Sequence, residues 1–237
     1  MKGNPLPGLP LAIENLILDI DQWHTPATDY PEAEIGNFRI TRKKYTRGVY
    51  KYWGLDGYLM FNVKKPIPIT TLQERRGKRW YDWMVDDPPQ QRAMEIYAEY
   101  SKGRVLCAGL GLGLILHAFK TNRNVDQVVV IEKSQDVIQL MSPFFPWWVT
   151  ENFVLDDFYH FIEVDQTDWD TIIVDLWVSH GKEEKLDIFC HKVLPMFSML
   201  HLKYPKASVT FHGFQSVSDI KPVSDEMVKL ITEIGGI

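Results

Sequence analysis

Val105-Leu106-Cys107-Ala108-Gly109-Leu110-Gly111-Leu112-Gly113 places three glycines at alternating positions directly after an apolar run. Glycine there lets the chain turn sharply and lets another group approach the backbone closely, as a bound ligand does. The spacing is G-x-G-x-G, not the G-x-G-x-x-G of pyrophosphate-binding dinucleotide folds. A tight strand-to-helix turn without a ligand is the plainer alternative. Glu132 ends the next apolar run, 19 residues after Gly113. An acid at the tip of a second parallel strand can accept both hydrogen bonds of a ribose diol. A surface acid after a buried strand is the competing reading. Asp156-Asp157-Phe158 follows a third run. An acid here would lie beside a nucleobase and accept from an exocyclic amine, whereas Asp157 would serve equally well as a helix N-cap. Asp175 closes Thr171-Ile172-Ile173-Val174, at the carboxyl end of a fourth strand, where open α/β sheets hold ligands.

These residues need a frame of strands and helices in strict alternation. From residue 104 the pattern supplies it: strands at 105–108, 127–132, 148–154, 171–175 and 207–211, with helices at 114–120, 134–141, 158–164 and 186–200 between them. The run Val128-Val129-Val130-Ile131 is of the kind buried on both faces, and Pro195 interrupts or bends the last of those helices. The fold class expected is α/β, a doubly wound Rossmann-like parallel sheet. Ahead of it, Asp87 reads as the N-cap of a helix with Pro88 at its first position, running to about Tyr100 with Ala93, Ile96, Tyr97 and Tyr100 on one face. Phe38 to Thr41 alternates as a half-buried strand does, and Asp56-Gly57 joins two β-prone runs as a hairpin turn. The expected organisation is an N-terminal arm over 1–37 with one short helix around 13–20, a small antiparallel β-hairpin unit over 38–82, and the parallel-sheet domain over 83–237. Residues 71–90 read as a polar, aromatic connection.

Composition narrows the classes. The chain of 237 residues is 45% hydrophobic, enough for a core, so a wholly disordered chain is excluded. A net charge of −5 gives no strong nucleic-acid signal, although Arg75, Arg76, Lys78 and Arg79 form a short basic cluster that can hold phosphate or an acidic substrate. No apolar run is long enough for a membrane span, and prolines break the start where a signal peptide needs a continuous apolar core. A cytoplasmic location is expected. Cys107 and Cys190 read as reduced residues, and the histidines have no zinc-ligand spacing, so no metal is expected.

The order VLCAGLGLG, VVVIEK, VLDDF, TIIVDLW resembles the class I S-adenosylmethionine-dependent methyltransferase superfamily, over residues from about 84 to 215. With a β-hairpin unit in front, the resemblance is closest to its spermidine synthase-like branch. The resemblance implies S-adenosylmethionine as cofactor. Gly109, Gly111 and Gly113 would pass beneath its methionine part. Glu132 would hold the ribose hydroxyls. Asp157 or Asp156 would meet the adenine amine, with Phe158 or Ile131 against the ring. Asp175 would face the methionine end and the substrate. Asp175 and His180, on the loop after the fourth strand, are the candidates for a general base.

The sequence departs from that pattern in three places. Cys107 stands where many members carry an acid. Val178 stands where aminopropyltransferases carry a second acid for the polyamine. Only 26 residues follow Phe211, so the sheet is expected to stop at five parallel strands with a terminal helix near 225–234. The function expected is methyl transfer to an unidentified small-molecule or macromolecular acceptor. The alternatives are an aminopropyltransferase and a non-catalytic nucleoside-binding module, and a homodimer is compatible with all three.

Overall fold

A computed structural model describes residues 17–54, 57–146, 152–178 and 182–213. In chain order the strands of the first third are β1 (Ile17–Ile20), β2 (Ala33–Ile35), β3 (Phe38–Tyr45), β4 (Gly48–Gly54), β5 (Gly57–Val63), β6 (Ile67–Arg76) and β7 (Arg79–Val85). Then follow α1 (Pro88–Tyr100), β8 (Gly103–Ala108), α2 (Leu114–Phe119), β9 (Val125–Glu132), α3 (Gln135–Met141), β10 (Phe153–Leu155), α4 (Phe158–Val164) and β11 (Thr171–Val174). The last elements are α5 (Lys182–Ile188), α6 (Leu194–Lys203) and β12 (Ser208–Phe211).

Five parallel strands form the central sheet, in the order β10-β9-β8-β11-β12. The chain therefore starts in the middle, winds outward to β10, and returns to the other side of β8. Alternation along each strand sends side chains to two separate cores. Val105, Cys107, Val128, Val130 and Ile173 pack with α1, α2 and α3. Leu106, Ala108, Val129, Ile131, Ile172 and Val174 pack with α4 and α6 on the opposite face. This is the doubly wound α/β arrangement expected. Each fully buried aliphatic side chain contributes about 1.5–3 kcal/mol from area alone.

Helix α1 starts as expected: the Asp87 side chain accepts from the Gln90 amide, and Pro88 occupies the first turn. Its buried face agrees in part: Ile96 is buried and Tyr97 packs against the core. Met94, Ile96 and Ala98 are buried, whereas Ala93 is half-buried and Tyr100 is 49% exposed. Tyr100 is the last residue of the helix, so nothing packs over its ring. The break expected near Pro195 is a π-helical turn over Phe189–Val193 between α5 and α6. Pro195 brings no N–H, so the ladder before it must rearrange. Residues 147–151 lie outside the described residues, and the expected third strand is found only as Phe153–Leu155. The helix expected over 225–234 and residues 1–16 also lie outside them.

The first third departs most. Ile17–Ile20, expected as the end of a short helix, is a strand paired in parallel with β5, because four residues of extended backbone complete an open edge there. Ala33–Ile35, expected within an irregular arm, pairs with β3. The expected connection over 71–90 is instead the second half of β6, the turn at Gly77 and Lys78, and β7. β6 is buried without a break from Ile69 to Gln73 and carries charge on both sides at its end, so it shows no simple alternation. The strands form two sheets, β1-β5-β4 and β2-β3-β6-β7. The second lays Phe38, Ile40 and Leu72 onto the core that holds α1, α2 and α3.

A bulge between Leu72 and Gln73 matters for the site. Before it, Trp80 and Asp82 pair with Arg75 and Gln73; after it, Met84 pairs with Leu72. The extra residue, Trp83, turns Met84 to the inner side with Leu72, where regular pairing would have faced it outward.

Candidate functional site

The five parallel strands end side by side, and backbone hydrogen bonds set their tips in a row. Asp156 N–H donates to the Glu132 carbonyl at 3.2 Å, Gly109 N–H to Ile131 at 2.9 Å, Asp175 N–H to Ala108 at 2.9 Å, and His212 N–H to Val174 at 2.8 Å. The edge therefore reads Asp156, Glu132, Gly109, Asp175, His212. Strand order reverses between β8 and β11, so the crevice outside their carboxyl ends is the topological switch point. The glycine loop after β8 and Asp175 after β11 both lie there.

Gly109, Gly111 and Gly113 all have positive φ, and each is met by a protein group. A Cβ on Gly109 would lie 2.4 Å from the Asp175 carbonyl oxygen. On Gly111 it would lie 2.3 Å from the Met84 sulfur, and on Gly113 2.1 Å from the Phe145 ring. The close approach that glycine permits is thus made here by Met84 and Phe145. The Met84 thioether also accepts the Leu112 N–H at 3.1 Å. What stays open between Met84, Cys107, Gly109 and Asp175 is a cavity of about 10 Å³.

Glu132 is buried, with 8% of its surface exposed. One carboxylate oxygen accepts the Leu110 N–H at 3.0 Å and the other accepts the Ser134 N–H at 2.9 Å. Burial pushes this carboxyl above its ordinary range, and the two amides pull the other way. Two amides leave part of the carboxylate's capacity of about four acceptor sites open. Asp157 caps α4, accepting from the Tyr159 amide at 2.9 Å. Asp156 accepts from the Asp157 amide at 2.8 Å and lies 2.9 Å from the His160 ring nitrogen. Phe158 is buried beneath the sheet with Ile131 and Ile162. His180 lies outside the described residues, as do the side chains of Tyr52 and Trp53. Trp177 stacks on Phe211 at 6.1 Å, and Tyr50 stacks on Tyr45 at 4.7 Å.

Cys107 is buried, and burial followed by the nearby Asp175 charge pushes its thiol far up, so it stays neutral. Asp175 is the carboxylate next to the position where the resemblance leads one to expect an acid.

Several residues at this edge escape a reading by strand-end motifs. His212 follows β12, its Nδ1 is buried without a hydrogen-bond partner among the described residues, and Tyr97 meets its ring edge-on at 5.7 Å. The charge of His212 bears on Asp87, which accepts from the Tyr45 hydroxyl at 2.7 Å. Asp86, fully buried, accepts from the Thr25 hydroxyl at 2.6 Å and the Thr70 amide at 2.6 Å. Burial pushes both carboxyls up. The only available sequence signal was the pair Asp86-Asp87 itself. Tyr30 closes the loop from the other side: its hydroxyl lies 2.6 Å from His117 Nε2 and 3.3 Å from the Leu112 carbonyl.

The sequence matches no protein-family model and no curated protein. Among solved structures, the chain is similar to a precorrin decarboxylase from Methanobacterium thermoautotrophicum, at 12% identity and TM-score 0.37, over 63% of this chain and 72% of that one. It is similar to the plantazolicin methyltransferase BpumL, solved with a desmethyl analogue and SAH, at 18% identity and TM-score 0.35, over 53% and 48%. It is also similar to MNMC2 from Aquifex aeolicus, at 14% identity and TM-score 0.32, over 67% and 57%. At these scores the likeness does not reach function. Among the described residues no helix is long and apolar enough to cross a membrane.

Proposed function

We propose that the protein is an S-adenosylmethionine-dependent methyltransferase. One observation carries this reading: a glycine loop at the switch point, flanked on its two sides by the strand-end carboxylates Glu132 and Asp175. A nucleoside with a cationic amino-acid tail is the ligand whose groups match that order. Glu132 takes the ribose diol with its remaining lone pairs, already oriented by the Leu110 and Ser134 amides. Asp156 lies toward the base, where Leu155, 51% exposed, offers an apolar surface for a ring. Asp175 faces the ammonium that neutral Cys107 cannot hold.

The donor set fits the cofactor, and the reading requires Met84 and Phe145 to withdraw from the glycine loop. A cavity of about 10 Å³ has room for about one water molecule and none for a nucleoside. Methionine is unbranched and its sulfur is a weak acceptor, so the Met84–Leu112 contact is easily given up.

The bound cofactor supplies an electrophilic methyl group. The chain's own work is then to align an acceptor and exclude water. Where the acceptor carries a proton, His212 stands at the same edge, its ring Nδ1 without a hydrogen-bond partner among the described residues. Aminopropyl transfer is the weaker reading, because Val178 gives a polyamine ammonium no partner.

Thermal melting with S-adenosylhomocysteine tests the assignment. A rise in midpoint for the wild type, absent in Glu132→Ala, is expected. A rise of equal size in both removes Glu132 from the site, and none in either removes the reading.

A further inference from the structure

The net charge of the chain is −5, yet one sheet surface carries the opposite sign. The hairpin of β6 and β7 ends in Arg75, Arg76, Lys78 and Arg79, all exposed, and Arg39 on β3 lies beside them. Glu34 and Glu74 answer two of these cations, at 3.8 Å from Arg75 and 2.6 Å from Arg76. Arg39 is held by the Gln73 amide oxygen at 2.8 Å. Among the described residues, Arg39, Lys78 and Arg79 have no ion-pair partner.

The arrangement is more ordered than a set of solvated surface cations. Trp80 faces outward with Arg75 and Gln73. The Arg39 guanidinium lies 4.3 Å from the centre of its ring and that of Arg75 5.4 Å. On the hairpin's other side, Arg76 lies 5.6 Å from the Tyr81 ring. Stacking on indole restricts two flexible side chains in advance, so less entropy is lost when they bind. The same register places Thr41, Lys43 and Asp82 on the outward side; the aliphatic Ile69 and Val85 on that side pack into a separate core with Val63 and Ile67, which leaves charged and aromatic groups at the hairpin end. A surface that inserts into lipid needs apolar groups, and this one offers charge and flat π-systems instead.

We propose that this outer face, from Arg39 across Trp80 to Lys78, extended at the hairpin end by Arg79, which pairs with Arg76 on the other side, is a docking surface for single-stranded nucleic acid. The cations meet phosphates, and bases stack on the guanidinium and indole planes. The surface lies on the solvent side of the sheet whose inner side carries Met84, and it involves none of the strand-end carboxylates. Its test is therefore independent of cofactor binding.

The experiment is fluorescence anisotropy of a labelled oligothymidylate of about 20 nucleotides at low salt, followed across a salt series. The wild type is compared with the triple variant Arg39→Gln, Lys78→Gln, Arg79→Gln, with the thermal midpoint as a check that the fold is kept. The wild type is expected to bind, and the variant to bind about tenfold more weakly with a log–log salt slope shallower by about 2, since each neutralised phosphate contact is worth about 0.7 on a single strand. The chain has eight tryptophans, so a fall in emission on adding oligonucleotide is expected in the wild type and is expected to shrink in Trp80→Phe. The proposal is overturned if the wild type does not bind, if the variant binds equally well with the same slope, or if phosphatidylserine vesicles bind in place of the oligonucleotide.

Discussion

The carboxylate of Glu132 sits 3.0 Å from the backbone N–H of Leu110, so the acid at the tip of β9 holds the glycine loop that follows β8. Its second oxygen holds Ser134, the N-cap of α3. One side chain thus orders both the loop and the next helix. Replacing Glu132 with alanine strands two amide donors near the core. The expected loss is about 2–4 kcal/mol, from about 1–3 for each unsatisfied donor less the relief of burying no charge. Urea unfolding measures it. A change under 0.5 kcal/mol, on the order expected of an ordinary surface substitution, would mean that the loop holds itself.

Met84 is the group that separates the closed loop from one that admits a nucleoside. Met84→Ala is expected to cost about 2 kcal/mol of stability, at the low end for truncating a partly buried methionine. It is also expected to tighten S-adenosylhomocysteine binding several-fold. Weaker binding in the variant would show that Met84 is a wall of the site and not its cover.

The glycines differ in what their replacement meets. Gly113→Ala combines a left-handed backbone with a Cβ placed 2.1 Å from the rigid Phe145 ring. The expected destabilisation is about 3 kcal/mol, the sum of backbone strain and overpacking. Gly111→Ala meets the flexible end of Met84 and is expected to cost less. The reverse order, read from urea midpoints, would contradict the packing described.

His117 gives the fold a pH dependence of known sign. Burial, then the Lys120 charge, lowers its pKa to about 4. The unfolded chain therefore takes up a proton near pH 6.5 while the folded chain does not. Stability from this group is full above about 6.5 and lost as pH falls toward 4. Allowing for its partial exposure, the loss is about 2 kcal/mol. The buried acids Asp86, Asp87 and Glu132 are shifted upward by burial, so they act in the opposite sense. Comparing wild type with His117→Asn isolates the histidine: the variant is expected to lose less stability between pH 6.5 and 4. Identical slopes would remove the assignment.

Legibility followed physical simplicity. Strands β8, β9 and β11 are buried on both faces, so unbroken apolar runs announce them, and their ends place Gly109, Glu132 and Asp175 without further help. The caps at Asp87 and Asp157 were equally readable, because one side chain meets one nearby amide. β6 and β7 were hidden because charge falls on both of their sides and the burial of β6 does not alternate. Met84 was hidden by a bulge, which a period-two pattern cannot register. His212 and Tyr45 reach the site through contacts distant in sequence, and no local spacing marks them.

The central claim is that the switch-point loop binds an adenosyl sulfur nucleoside. Calorimetric titration with S-adenosylmethionine, S-adenosylhomocysteine and NAD, run in parallel on the wild-type protein, tests it most directly. Binding of the two sulfur nucleosides at about micromolar dissociation constants, with no heat from NAD, is the result predicted. No binding of either sulfur nucleoside, or binding of NAD alone, would contradict the account and leave the glycines as room for Met84 and Phe145.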